Sequence, residues 1–170
     1  MKIIFNNESE YHFTTIKTFR DVKILTLPTI PEMLLQYLNE LRTEFEVSIY
    51  GYVIMPNHIH FIWHISSDPG ISVVMKHYKG WTGGRIVPQL ETIPGIDVSI
   101  ITRKGGSRSL WKRSFYDFNL ISERKFLEKL EYIHQNPVRW GLTLNPGDWA
   151  YSSFRAWYGM PDVKFEIDRI

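Results

Sequence analysis

Two pairs of residues in this chain have the types and spacing for chemistry. His58 and His60 are separated by one residue in a segment, His58–Ile65, that reads as a β-strand. Alternate side chains of a strand leave the same face, so both imidazoles project together, with Cα atoms roughly 6–7 Å apart. Two neutral imidazoles at that spacing can converge on one divalent metal ion. His64 shares the face but lies about 13 Å beyond His60, too far for a third ligand. Two strand histidines with no shared role fit the same pattern. The second pair is Tyr132 with an amide, either Asn136 four residues on or Gln135 three residues on, in a segment of helical period. Either spacing stacks a phenol and an amide on one helix face. A phenol, with its ordinary pKa of about 10, is a poor nucleophile until a metal or a base assists it. A core tyrosine followed by an Asn helix cap is the plain alternative. Together, two imidazoles, an amide and a phenol suit phosphoryl transfer. A metal polarises a non-bridging phosphate oxygen, the phenolate attacks phosphorus, and a sugar hydroxyl leaves. The covalent phosphotyrosine keeps the energy of the broken bond, so a second hydroxyl can rejoin the strand.

These residues need a scaffold, and the hydrophobic pattern supplies one. Tyr11–Phe19 is β-branched and aromatic and reads as a strand. Pro31 opens a helix in which Leu34, Leu35, Leu38, Leu41 and Phe45 recur at helical spacing. Val47–Ile54 and His58–Ile65 flank a Met55-Pro56-Asn57 turn and form an antiparallel hairpin. On the second strand Ile59, Phe61 and Trp63 take the face opposite the histidines. Ile71–Arg85 reads as a helix, residues 86–109 as a long loop, and Leu110–Ile121 as a fourth strand. Ser122 and Glu123 start the helix that carries Tyr132, and Pro137 is expected to end it near Asn136. The order β, α, β, β, α, β, α is the split βαβ pattern of ferredoxin-like α+β folds, an antiparallel sheet with helices on one face. Residues 1–170 are expected to form one domain, with 141–170 a C-terminal packing tail.

Composition narrows the classes. The 170 residues include no cysteine, which removes disulfides, thiolate zinc sites and a cysteine nucleophile. A hydrophobic fraction of 44% and a charged fraction of 22% exclude a disordered or collagenous chain. The apolar run Ile3–Phe5 is far shorter than the roughly 7–15 residues of a signal-peptide core. No stretch reaches the roughly 18 apolar residues of a membrane helix. A cytoplasmic protein without a membrane partner is the expectation. The net charge of +2 is unevenly spread: residues 1–71 carry 5 Lys/Arg against 8 Asp/Glu, and residues 72–170 carry 15 against 10. From Met75 to Lys125 there are 10 basic and 4 acidic residues.

At this point four segments resemble a known family. They are Tyr52-Val-Ile-Met-Pro-Asn-His58-Ile-His60, Leu110-Trp111-Lys-Arg-Ser-Phe-Tyr-Asp117, Glu131-Tyr132-Ile-His-Gln-Asn136-Pro-Val-Arg139 and Asp148-Trp149-Ala-Tyr-Ser-Ser153-Phe. In this order they resemble the single-tyrosine HUH transposases, and within them the REP-associated tyrosine transposases of bacteria. The resemblance implies a ferredoxin-like HUH domain. It implies His58, His60 and Asn136 as ligands of Mg²⁺ or Mn²⁺, and Tyr132 as nucleophile. The implied substrate is single-stranded DNA with hairpins, such as REP palindromes, cut to leave a 5′-phosphotyrosine and a free 3′-OH. The implied assembly is a monomer or a homodimer. Trp140 departs from the motif, standing where the family has a small residue.

Phosphate contacts call for Lys and Arg. Arg103, Lys104, Arg108, Lys112 and Arg113 are the leading candidates, and a solvated basic face is the bland reading of the same residues. Arg139 could hold a phosphate near Tyr132 or pair with Asp148 or Glu131. Trp111 and Trp81 are candidates for stacking on unpaired bases, or for the core. The leading expectation is a metal-dependent DNA endonuclease and strand transferase. The alternatives are a non-catalytic nucleic-acid-binding module of the same fold, and a hydrolase of small phosphate esters in which Tyr132 is structural.

Overall fold

The computed structural model describes residues 10–169; the Ile3–Phe5 run lies outside them. Four strands, β1 (Tyr11–Lys17), β2 (Ser48–Met55), β3 (His58–His64) and β4 (Tyr116–Asn119), form one antiparallel sheet in the order β2-β3-β1-β4. Helix α1 (Ile30–Phe45) links β1 to β2, and α2 (Ile71–Thr92) links β3 to β4. This is the split βαβ arrangement, and α3 (Glu123–Arg139) follows it.

The alternation of β3 divides the interior in two. Ile59, Phe61 and Trp63 face the larger cluster with Leu34, Leu38 and Leu41 of α1 and Val74, Tyr78 and Ile86 of α2. Phe61 and Trp63 stack at 4.6 Å, and Tyr78 meets the edge of Phe61 at 5.3 Å. Ile62 faces the other way, into a cluster with Phe13, Val53, Phe126, Leu130 and Ile133. The expectation of helices on one face therefore holds for α1 and α2 but not for α3. Strand residues on the histidine face are also largely apolar, so that face too has to be covered, and α3 covers it.

Helix α2 runs to Thr92 rather than Arg85, and the expected long loop shrinks accordingly. Tyr78, Thr82, Ile86 and Leu90 are buried at four-residue spacing. That packed stripe against α1 outweighs three glycines and Pro88, each unfavourable in a helix interior. The remainder of the loop contains a short 3₁₀ turn, Val98–Ile101, started by the Asp97 side chain accepting from the Ser99 N–H. The fourth strand is shorter than expected; at its leading end only Trp111 bridges back, to Thr18.

Helix α3 passes through Pro137 to Arg139, and the turn at Gly141 closes its end. Trp140 N–H donates to the Asn136 carbonyl, Gly141 N–H to Val138, and Leu142 N–H to Pro137. With Gly141 at φ 67°, this is a Schellman end, which requires a left-handed residue and so selects glycine. Pro137 falls in the last turn, where its missing N–H removes a single bond. At the other end the Ser122 hydroxyl accepts from the Lys125 N–H.

Beyond α3 the chain closes the free edge of β2. Ile54 N–H donates to Tyr151, Ser153 N–H to Tyr52, and Asp168 N–H to Ile49, while a short helix α4 (Phe154–Trp157) packs alongside. Pairing an edge in this way removes a template for aggregation. None of the helices in the described residues is long and apolar enough to cross a membrane.

Candidate active site

The site is assembled on the α3 face of the sheet. His60 lies directly across from Thr15 of β1, and His58 from Lys17. Both imidazoles are buried, at 5% exposure each. Their ring centroids are 4.8 Å apart. Each Nδ1 is engaged by a neighbour: His58 with Asn57 Oδ1 at 2.7 Å, His60 with Thr15 Oγ1 at 2.7 Å. An amide oxygen only accepts, so Nδ1 of His58 carries the proton and Nε2 keeps its lone pair. The Thr15 hydroxyl can accept from His60 in the same sense. Such outer hydrogen bonds are what fix the tautomer and orientation of ligating histidines.

Burial is the first cause of a low pKa at both rings. It pushes His58 down to about 4, with Lys17 adding to the effect and Asp21 and Asn136 opposing it. It pushes His60 down to about 3, helped by His58, Lys17 and Lys129. Both rings are thus neutral at pH 7, the form that ligates metals.

α3 brings the remaining groups. It can lie close to β2 because Gly51 has no side chain: a Cβ there would sit 3.0 Å from both Leu130 Cδ1 and Ile133 Cδ1. Tyr132 then reaches the sheet, its ring centroid 5.4 Å from His60 and 6.0 Å from Phe13. Asn136 is buried and in hydrogen-bond contact with His58. Two buried polar atoms here have no partner, Nε2 of His60 and Nδ2 of Asn136. Turning the Asn136 amide over exchanges nitrogen for oxygen at little steric cost. Unpaired buried polar atoms are costly and rare, and a divalent cation would satisfy them. Two imidazoles and an amide oxygen are a donor set that such an ion accepts. Among the described residues no three His, Cys, Asp or Glu cluster as a metal site, so any ion would need the amide.

Two cations flank the nucleophile candidate. Lys129, one turn before Tyr132, holds its ammonium 5.6 Å from the Tyr132 ring and 4.9 Å from the Phe13 ring. Arg139, two turns after, lies 5.3 Å from the same Tyr132 ring. Neither makes an ion pair among the described residues, so Arg139 does not take the Asp148 or Glu131 pairing weighed from sequence. Lys129 escaped the sequence reading, although its i−3 spacing from Tyr132 was the signal. Asn57 and Thr15 escaped it as well, since only strand pairing brings Thr15 to His60.

His134 points away, as its helix position requires, and is buried. Its Nε2 meets Ser153 Oγ at 3.0 Å and burial pushes its pKa down to about 4. It locks α3 to the segment that edges β2. His64 is remote from the pair and meets Glu10 at 3.2 Å.

The basic residues gather at a groove of about 480 Å³ between the Gly80, Gly83 and Gly84 stretch of α2 and residues 103–113. Lys79, Arg103, Arg108, Lys112 and Arg113 line it, with no carboxylate. Several are partly engaged: Arg108 with Glu91, Lys112 with Asp21 at 2.6 Å, and Arg103 with Ser109 at 2.9 Å. Lys104 and Arg113 are exposed. The segment adjoins the histidines, for Lys112 N–H donates to the Lys17 carbonyl. The two tryptophans considered for stacking are otherwise occupied. Trp111 is buried with its N–H on Thr82, and Trp81 stacks on Tyr37 at 4.5 Å.

Comparison with known proteins assigns the chain to a family and matches its fold. Residues 6–136 match the family model described as "Transposase IS200 like". The chain belongs to the IS200-like transposase family. Members of this family are enzymes acting on DNA. The REP-associated tyrosine transposase of Escherichia coli K12 is 22% identical over 145 residues, covering 85% of this chain and 75% of that one. A Haemophilus influenzae protein provisionally given the same designation is 23% identical over 182 residues, covering 96% of each. The fold matches that of a REP-associated tyrosine transposase solved bound to a REP hairpin, with a TM-score of 0.66 and 19% identity. That match covers 99% of this chain and 91% of the other.

Proposed function

We propose that this transposase is a divalent-metal-dependent endonuclease and strand transferase for single-stranded DNA with hairpins, working through a covalent 5′-phosphotyrosine. The observation that carries the reading is the placement of Tyr132 beside two buried, neutral imidazoles and a buried amide, with Nε2 of His60 and Nδ2 of Asn136 left without partners. His58, His60 and Asn136 would hold Mg²⁺ or Mn²⁺. The ion would supply Lewis-acid polarisation of a non-bridging phosphate oxygen. Tyr132 loses its proton and its Oη bonds to phosphorus. The P–O3′ bond breaks, and the released O3′ takes up a proton. Arg139 and Lys129 flank the ring and balance phosphate charge. A second 3′-hydroxyl then reverses the sequence and frees Tyr132. Thr15 and Asn57 hold the imidazoles in their ligating tautomer.

The relative solved with a REP hairpin and the basic groove support hairpin DNA as the partner. Arg103, Lys104, Arg108, Lys112 and Arg113 would track phosphates on a path that reaches β1 beside the histidines. One chain carries both the imidazoles and Tyr132, so a monomer is sufficient and a homodimer is compatible. Residues 1–170 act as one catalytic unit with 141–170 as a packing tail, working in the cytoplasm where DNA is accessible.

The test uses purified protein, Mn²⁺ and fluorescent oligonucleotides carrying palindromes from the DNA that flanks the gene. A covalent protein–DNA band is expected, with none for Tyr132→Phe or after chelation. Hairpin binding with no adduct under any divalent metal would instead favour the non-catalytic module.

A further inference from the structure

We infer that Trp140 is a stacking platform for an unpaired nucleobase beside the phosphate attacked by Tyr132, an inference that rests on the proposed single-strand DNA chemistry. Trp140 differs from the other five tryptophans. Trp63 and Trp111 are buried. Trp149 and Trp157 donate their indole N–H to the Ile54 and Tyr50 carbonyls, and Trp81 stacks on Tyr37. Trp140 alone among them is 50% exposed, and its indole N–H makes no hydrogen bond among the described residues. Half of this large, flat side chain is therefore left open to solvent.

Its placement points to a ligand. The indole lies 5.3 Å from the His58 ring, centroid to centroid, and tilted by 50°. It therefore borders the pocket that would hold the metal while the rest of its surface stays open. The preceding residue is Arg139, whose guanidinium borders the Tyr132 ring. Nucleophile, phosphate-binding cation and flat aromatic surface thus follow one another along the last two turns of α3. The arrangement is also rigid. The backbone N–H of Trp140 is tied to the Asn136 carbonyl at 3.0 Å, and the bonds of Gly141 and Leu142 close the helix end around it. A platform fixed to the same turn as a ligand candidate holds a base in register with the reacting phosphate. Single-strand binders use cationic and aromatic groups in this combination, because every base has a stackable face.

The test compares two fluorescein-labelled probes by anisotropy: dT20, and a 20-mer in which every base is replaced by an abasic tetrahydrofuran unit. Trp140→Ala should weaken dT20 binding by roughly 5- to 150-fold, the range of one lost base–aromatic stack. Binding of the abasic strand should not change, and Trp140→Phe should keep most of the dT20 affinity. Equal weakening of both probes, or of neither, would overturn the inference. A second measurement fixes the location. Single abasic units are stepped through the hairpin substrate, and the one position whose loss harms wild type but not Trp140→Ala should adjoin the cleaved phosphate. A sensitive position far from the cut would overturn the placement. Adduct formation is scored in parallel. An adduct without base-dependent binding defeats this inference alone, whereas base-dependent binding without an adduct defeats the cleavage reading alone.

Discussion

The two faces of β3 are built from one seven-residue strand, yet they are opposite in kind. Toward α1 and α2 it presents Ile59, Phe61 and Trp63, buried in the larger hydrophobic cluster, where the one polar atom of the three side chains, Nε1 of Trp63, has no partner. Toward α3 it presents His58, His60 and Ile62, where two imidazoles are buried and Nε2 of His60 is left unsatisfied. The first face stabilises the fold by burial. The second gives up some of that stability to hold neutral imidazoles beside Tyr132. Alternation lets adjacent residues serve the two ends independently, so stability and chemistry should be separable by single substitutions.

The widest contrast is between neighbours. Phe61→Ala should destabilise the protein by about 3–5 kcal/mol in urea unfolding, while the molecules that remain folded still cleave. His60→Ala should do the reverse, with cleavage down more than ~100-fold, beyond the cost of losing an outer partner, and a smaller loss of stability than Phe61→Ala. Equal effects of both substitutions on stability would break the contrast. Thr15→Val comes next. It removes the partner of His60 Nδ1 and should lower Mn²⁺ affinity about 10- to 100-fold, read by metal titration. The stability cost should be about 1 kcal/mol.

Acid should act through the histidine face. His58, His60 and His134 have pKa values lowered to about 4, 3 and 4 by burial. Below about pH 6.5 the unfolded chain takes up protons that the folded chain refuses, so stability falls as pH falls. The fall levels off near the folded values. Each imidazole can contribute as much as about 2 kcal/mol between pH 6.5 and 4.5. Urea unfolding at a series of pH values measures this, and metal should oppose it. A pH-independent midpoint between 7 and 4.5 would contradict the buried neutral imidazoles. The smallest effect belongs to the exposed groove. Arg113→Ala should reduce the slope of log affinity against log salt by about 0.7 for a single strand, the contribution of one phosphate contact.

Much of this arrangement was legible because it depends on local spacing. The period of two in His58–His64 assigned both faces of β3. The i, i+4 spacing placed Tyr132 and Asn136 together, and the order of strands and helices gave the split βαβ fold. What escaped depends on partners distant in sequence. Thr15 reaches His60 only through the β1–β3 register. The extension of α2 to Thr92 rests on a buried stripe against α1 that outweighs its glycines and Pro88. The opposite-face position of α3 follows from Gly51, whose missing side chain admits Leu130 and Ile133. Pro137 points to a helix end near Asn136, but its missing N–H costs a single bond in the last turn, and the end is set by the left-handed Gly141. Trp81 and Trp111 could be assigned as packing residues only once their neighbours were known.

The central claim is that Tyr132 attacks phosphorus beside His58 and His60. Trypsin should release Leu130–Arg139, a peptide with Tyr132 as its single tyrosine. After reaction with a hairpin oligonucleotide and Mn²⁺, followed by nuclease trimming, mass spectrometry should find the nucleotide adduct on that peptide, at Tyr132. An adduct on a peptide carrying another tyrosine, such as Tyr116, would contradict the account.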